Sequence, residues 1–120
     1  MVTQRVSRRM GGGNMIIMQG DAYYVPIDLK QAGVTLAPEM IDTVEISVSC
    51  AVRKTSSDGG VLYHDGQWYF RLSQRDTLDL ESGAHYVQAR VKYLNQPEAD
   101  VLGITAGVVT VVESNSKEVL

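Results

Sequence analysis

The chain is 120 residues long and has one cysteine, two histidines, one tryptophan and one phenylalanine; these shortages exclude much. Cys50 is alone and makes no internal bridge, so no disulfide framework holds the fold, and a reducing cytoplasm suits it. His64 and His85, without a cysteine or carboxylate at ligand spacing, do not compose a zinc site. Long apolar runs are missing as well. Near the N-terminus the longest is Met15-Ile16-Ile17-Met18, far short of a signal-peptide core or a membrane span. Ser7-Arg8-Arg9 has the arginine pair of a twin-arginine signal, yet Gly11-Gly12-Gly13 stands where an apolar segment should begin. Neither export nor a membrane partner is expected.

Basic residues are scarce outside one segment. Net charge is −3, but residues 1–13 carry Arg5, Arg8 and Arg9 with no acid, which leaves −6 on the remainder. An acidic body argues against a nucleic-acid-binding domain, which normally shows a basic face. The arm, ending in three glycines, is expected to be flexible alone and to become ordered against a neighbouring subunit. One domain of this length buries about two-thirds of its unfolded surface and needs neither metal nor cofactor to fold.

What the chain does have is strand pattern. Asp65-Gly66 lies between two short runs rich in Val, Tyr, Trp and Phe and suits a two-residue type I′ turn. That turn fixes the register: His64 faces Gln67, Tyr63 faces Trp68, Leu62 faces Tyr69 and Val61 faces Phe70. Val61, Tyr63, Trp68 and Phe70 then share the core face. Upstream, Tyr23 to Leu29 alternates, with Tyr23, Val25, Ile27 and Leu29 on one face; Pro26 confines the strand to an edge or a bulge. Lys30 to Asp42 reads as a loop anchored by Leu36 and Ile41. Thr43 to Arg53 reads as one long strand, with Val44, Ile46, Val48, Cys50 and Val52 inward. Ser73-Gln74-Arg75-Asp76 fits a capping box opening one helical turn, after which Leu78 and Leu80 plug the core. Gly83 opens a strand with Val87, Ala89 and Val91 inward, and Asn95-Gln96-Pro97 starts a loop. In the last strand, Ile104 to Glu113, both faces are apolar: Ile104, Ala106, Val108 and Val112 on one, Val109 and Val111 on the other. A strand apolar on both faces must be covered twice, here by a second molecule.

The sum is an all-β chain: a single immunoglobulin-like β-sandwich of about seven strands with a flexible basic arm. The expected divisions are 1–13 (arm), 14–114 (sandwich) and 115–120 (tail).

No catalytic constellation emerges. Asp76, Asp79 and Glu81 cluster, but lack the glycine and ligand spacing of a calcium loop; capping of the short helix explains them more simply. Cys50, on an inward position, behaves as a small hydrophobe. The glycine runs lack the strand-to-helix context of a phosphate loop. Catalytic, cofactor-binding and metal residues are therefore none, and an enzyme is not expected. Tyr24, Tyr69 and Tyr86 point outward and suit either a sugar-stacking platform or a protein contact patch, so a glycan partner stays open.

Three stretches together carry a resemblance. Gln19-Gly20-Asp21 leads into a first hairpin; Gln67-Trp68-Tyr69-Phe70-Arg71-Leu72 is followed by Ser73-Gln74-Arg75-Asp76-Thr77-Leu78; and Leu80-Glu81-Ser82-Gly83 introduces Tyr86-Val87-Gln88-Ala89-Arg90-Val91. From Met15 to Glu113 the chain resembles the small immunoglobulin-like proteins of tailed-phage virions, including the N-terminal domain of phage baseplate upper proteins. Fibronectin-type domains share the Leu-x-x-Gly lead but place tyrosine two residues after the glycine, where His85 stands here. The resemblance implies a virion structural role, as capsid decoration, tail or baseplate component, in a particle assembled in the bacterial host cytoplasm. The implied partners are other virion proteins and copies of the chain itself. On the residues, the expected interface comprises Arg5, Arg8 and Arg9 of the arm, Val109 and Val111 of the last strand, and Tyr69 and Tyr86.

Overall fold

The computed structural model describes residues 9–10, 14–31, 33–94 and 101–120. Its strands are β1 (Arg9–Met10), β2 (Asn14–Met18), β3 (Tyr23–Ile27), β4 (Lys30–Gln31), β5 (Val34–Thr35), β6 (Ile41–Val48), β7 (Val52–Thr55), β8 (Val61–His64), β9 (Gln67–Leu72), β10 (Gly83–Tyr93) and β11 (Val101–Val112). A 3₁₀ turn (Pro38–Met40) precedes β6, and one short helix, α1 (Gln74–Leu78), links β9 to β10. The strands form a six-stranded sheet ordered β1-β2-β11-β10-β6-β7, a three-stranded sheet ordered β3-β9-β8, and the small β4-β5 hairpin. Strand β2 runs parallel to β11, and the other pairings are antiparallel. Placing β6, β10 and β11 against β3, β9 and β8, with β7 added beside β6, gives an all-β, immunoglobulin-like sandwich.

The hairpin has the register that the turn chemistry dictates, from His64↔Gln67 to Val61↔Phe70. Asp65 and Gly66 both have positive φ (50° and 79°), the signature of a type I′ turn. Val61, Trp68 and Phe70 are buried, while Tyr63, at the open end of the same face, stays partly exposed and packs edge-on against Trp68 at 5.1 Å between ring centres. Pro26 sits in β3, an edge strand, opposite Tyr69. Because Tyr69 bonds to Leu62 on its other side, the Pro26 nitrogen points to the open edge, where a missing N–H costs nothing.

Three expectations are corrected. Thr43–Arg53 is not one strand: the chain turns at Ser49, Cys50 and Ala51, and Val48 pairs with Val52. Ser49 and Cys50 take positive φ (47° and 64°), and Cys50 is exposed at the turn rather than buried. The loop between Lys30 and Asp42 contains the β4-β5 hairpin, and β6 starts at Ile41; Leu36 and Ile41 are the buried anchors expected of them. In β11 the register shifts: Val87 pairs with Gly107 but Gln88 with Thr105, leaving Ala106 as a bulge. Beyond it Val109 and Val111 face the core, 1% and 2% exposed, so neither is free to form an interface. The outward residues are Val108 and Val112.

Buried polar side chains tie the layers together at one end. Gln19 donates from Nε2 to the Leu80 carbonyl (2.9 Å), while its Oε1 accepts from the Ser114 amide (3.2 Å) and from Lys117 Nζ. Thr77 Oγ1 accepts from the Gly20 amide (2.8 Å) and donates to the Asp21 carbonyl (2.8 Å), fastening α1 to the β2–β3 turn. The Ser73–Asp76 capping box is complete. From the far edge of the large sheet, Lys54 reaches Asp76 at 2.8 Å. Trp68 Nε1 donates to the Leu36 carbonyl (2.9 Å) and pins the β5 loop over the core.

Candidate functional site

The outer face of the large sheet, where β2, β11 and β10 lie side by side, is uncharged and largely apolar. Ile16 and Met18 of β2 stand beside Thr110 and Val112 of β11, and Val108 stands beside Tyr86 of β10. Ile16, Met18 and Val112 are exposed, and Tyr86 is 68% exposed. The inward alternates of the same strands, Met15, Ile17, Val109 and Val111, fill the core. Strand alternation thus produces a buried and an exposed apolar face from one pair of strands. Toward β6 and β7 this outer surface changes character. Glu45 pairs with Arg53 (2.5 Å) and lies 3.8 Å from Arg90, and Lys92 lies 3.6 Å from Asp42, around a shallow hollow of about 200 Å³.

The three outward tyrosines do not converge. Tyr86 belongs to the large sheet, whereas Tyr24 and Tyr69 lie on the outer face of the small one, where Tyr24 pairs with Arg71 and Tyr69 with Pro26. Tyr69 and Tyr86 are therefore on opposite sides of the sandwich and cannot grip one ligand. Tyr69 shares its face with Tyr24 instead, two positions along from Tyr24's partner Arg71. Of the arm, Arg5 and Arg8 lie outside the described residues, as do the glycine run and the 95–100 loop. Arg9 belongs to β1, paired with Met15 of its own chain.

A cleft of about 280 Å³ opens where the β8 edge faces the start of β6, lined by Pro38, Ile41, Asp42, Ser57, Tyr63 and Trp68 among others. No sequence pattern marked it, because its walls come from four separate segments. Its ionisable rim is acidic: Asp42 lies within it, and Asp58 and Asp65 flank β8 at its two ends. Hydrogen bonds from the Gly60 amide and from Thr55 hold the Asp58 carboxyl below its ordinary value.

The groups considered for chemistry are engaged in structure. His85 bridges Ser49 Oγ (2.8 Å) and the Glu81 carbonyl (2.6 Å), which fixes the β6–β7 turn against the start of β10. His64 lies at the surface, 3.2 Å from Asp65. Asp76 is spent on the cap and on Lys54; burial opposes its ionisation, but the hydrogen bonds from Lys54 and Ser73 outweigh it and lower its pKa. Among the described residues no three His, Cys, Asp or Glu side chains are grouped to hold a metal, and no helix is long and apolar enough to cross a membrane.

No family model matches the chain, and no curated protein matches it. Among solved structures it is similar to the endo-β-1,4-mannanase from Thermotoga petrophila, with a TM-score of 0.51 at 10% identity over 82% of this chain. The chain spans 18% of that protein's length, and at such identity the likeness concerns the sandwich fold alone.

Proposed function

We propose that this chain is a non-enzymatic structural component of a bacteriophage or phage-like particle, of the capsid-decoration, tail or baseplate class, that assembles with copies of itself and with other particle proteins. The observation that supports assembly is the uncharged outer face formed by Ile16, Met18, Val112, Val108 and Tyr86. Burying such a face against another protein removes apolar area from water at about 25 cal/mol per Å². An absence of charge lets the face meet its own copy without repulsion, which the acidic body otherwise opposes. The particle setting rests on the resemblance of the Gln19–Asp21, Gln67–Leu78 and Leu80–Val91 stretches. Light scattering over a concentration series tests the assembly reading. A discrete oligomer that Ile16→Lys with Val112→Lys dissolves, without loss of folding, is the expected result; an unchanged oligomer in that variant overturns the role of this face.

A second reading is favoured by one observation, the placement of Tyr24 and Tyr69 on one face of the small sheet, with Arg71 opposite Tyr24. Aromatic faces next to a guanidinium suit a sugar ring, so the module would bind carbohydrate. Glycan-array binding lost in Tyr24→Ala and Tyr69→Ala, but kept in Tyr86→Ala, is its expected signature, and a blank array with folded protein removes it.

A further inference from the structure

The edges of the two sheets are protected unequally. β3 carries Pro26 toward its open side, and β7 carries Arg53 and Lys54, the residues that usually guard an edge. Strand β8 has neither. In its two-residue hairpin His64 and Gln67 exchange both backbone bonds, and the parity continues to Gly60, whose carbonyl accepts from the Arg71 amide (2.9 Å). The N–H and C=O groups of Val61 and Tyr63 therefore point away from β9, toward the 280 Å³ cleft. That cleft offers a strand edge as one wall and an apolar floor of Trp68, Ile41 and Pro38. Asp42 lines it, with Lys92 3.6 Å away, while Asp58 and Asp65 flank β8 in sequence, Asp58 near Lys54 and Asp65 3.2 Å from His64.

We propose that this edge receives the N-terminal arm of a neighbouring copy as an added strand. The arm's sequence, Met1-Val2-Thr3-Gln4-Arg5-Val6-Ser7-Arg8, supplies β-branched residues for pairing and arginines for the acidic rim. Val6 enters over Trp68, and Arg5 and Arg8 meet the carboxylates. Main-chain bonds give affinity and the side-chain pocket gives selectivity, as in other strand additions.

Geometry makes the donor a different copy. The arm leaves at β1, and the short Ser56–Gly60 connection keeps β8 near β7, at the opposite end of the six-stranded sheet. Crossing five strand spacings takes about 24 Å, whereas Arg5, Val6 and Arg8 lie within four residues of Arg9 and reach no more than about 13 Å from it when extended, so they do not arrive at the home cleft. Donor and acceptor at opposite ends make a head-to-tail contact, which closes into a ring or grows into a filament. This inference rests on the premise above that copies assemble, and names a contact distinct from the apolar face.

Two full-length variants test it: Arg5→Glu with Arg8→Glu spoils the donor, and Asp42→Lys with Asp58→Lys spoils the acceptor. Each alone is expected to lose the large oligomer, with self-association weakened tenfold or more. Mixed, they are expected to recover the large oligomer, since each arm then meets a cleft of opposite charge. Equal circular dichroism and melting of the variants establishes that both are folded. If both variants assemble like the parent chain, the arm contact is overturned while assembly through the apolar face stands. Loss of assembly in these variants, with retention in Ile16→Lys and Val112→Lys, supports the arm and removes the face. A parent chain that is monomeric at every concentration overturns both.

Discussion

Gln19→Met removes a hydrogen-bonding centre while nearly keeping its shape. Gln19 is buried, its amide nitrogen is 2.9 Å from the Leu80 carbonyl, and Leu80 is itself buried. Without a donor that carbonyl is left unpaired, at a cost of about 1–3 kcal/mol. The Ser114 amide is only part-buried and Lys117 is half-exposed, so water replaces the bonds lost from Oε1 at little cost. Methionine returns some apolar burial, which leaves a net loss of about 2 kcal/mol. In a domain of this size that lowers the melting temperature by about 8 °C. Urea unfolding followed by the fluorescence of Trp68, which is 4% exposed, reads the change directly, as a lower midpoint at an unchanged slope. Gln19→Glu sharpens the test. It keeps the acceptor for Ser114 and Lys117, loses the donor to Leu80 and sets a carboxylate against a carbonyl, so it is expected to be at least as damaging. If both variants unfold within about 0.5 kcal/mol of the parent chain, the Gln19–Leu80 bond is not what holds this end together.

The bulge in β11 predicts that Val109→Asp and Val111→Asp destabilise strongly, by about 3 kcal/mol or more, whereas Val112→Thr stays within about 0.5 kcal/mol; urea midpoints decide it. The Asp76 carboxyl has a folded pKa below its ordinary value, so its contribution is present above that value and lost as pH falls through the folded pKa. Asp76→Asn is therefore expected to flatten the stability profile between about pH 5 and pH 3 while lowering stability at neutral pH. At Gly66, with φ of 79° and a new Cβ meeting the Tyr63 hydroxyl at an ordinary 3.9 Å, Gly66→Ala should cost about 1 kcal/mol through backbone strain. The exposed Cys50 thiol should react with a maleimide in the folded protein at the rate of a free peptide; reaction only on unfolding would place it back inside.

Much of this fold was legible because local chemistry and burial agree. The Asp-Gly turn fixed the hairpin register, Pro26 declared an edge, and Ser73 with Asp76 announced the helix cap. The β6–β7 turn was hidden by arithmetic. Val48 and Val52 are four apart with both inward, so an alternation that continues across a three-residue turn looks like one uninterrupted strand. Ser49-Cys50-Ala51 also lacks the glycine or asparagine that usually marks positive φ. The outward apolar face of the large sheet was legible in kind but misplaced in detail. An excess of apolar residues in the last strand called for a second cover, yet a bulge decides which ones face out, and no residue type marks it. The β8 cleft was invisible, since nothing local links Pro38, Asp42, Ser57 and Trp68. Gln19 and Thr77 read as ordinary turn and helix residues until the fold set Gln19 against the Leu80 carbonyl and Thr77 against the Gly20 and Asp21 backbone.

The extra residue in β11 also bears on how much length this strand can lose. Before Ala106 and after it, odd and even positions follow opposite rules relative to β10. Deleting Ala106 would leave every other pair in register, Thr105 on Gln88 and Gly107 on Val87, so the bulge would close and each side chain would keep its face. Val109 and Val111 would stay in the core, and Val108, Thr110 and Val112 outside it. Ala106 is thus a spare position, and the strand can lose this one codon while keeping both its packing surface and its outward one.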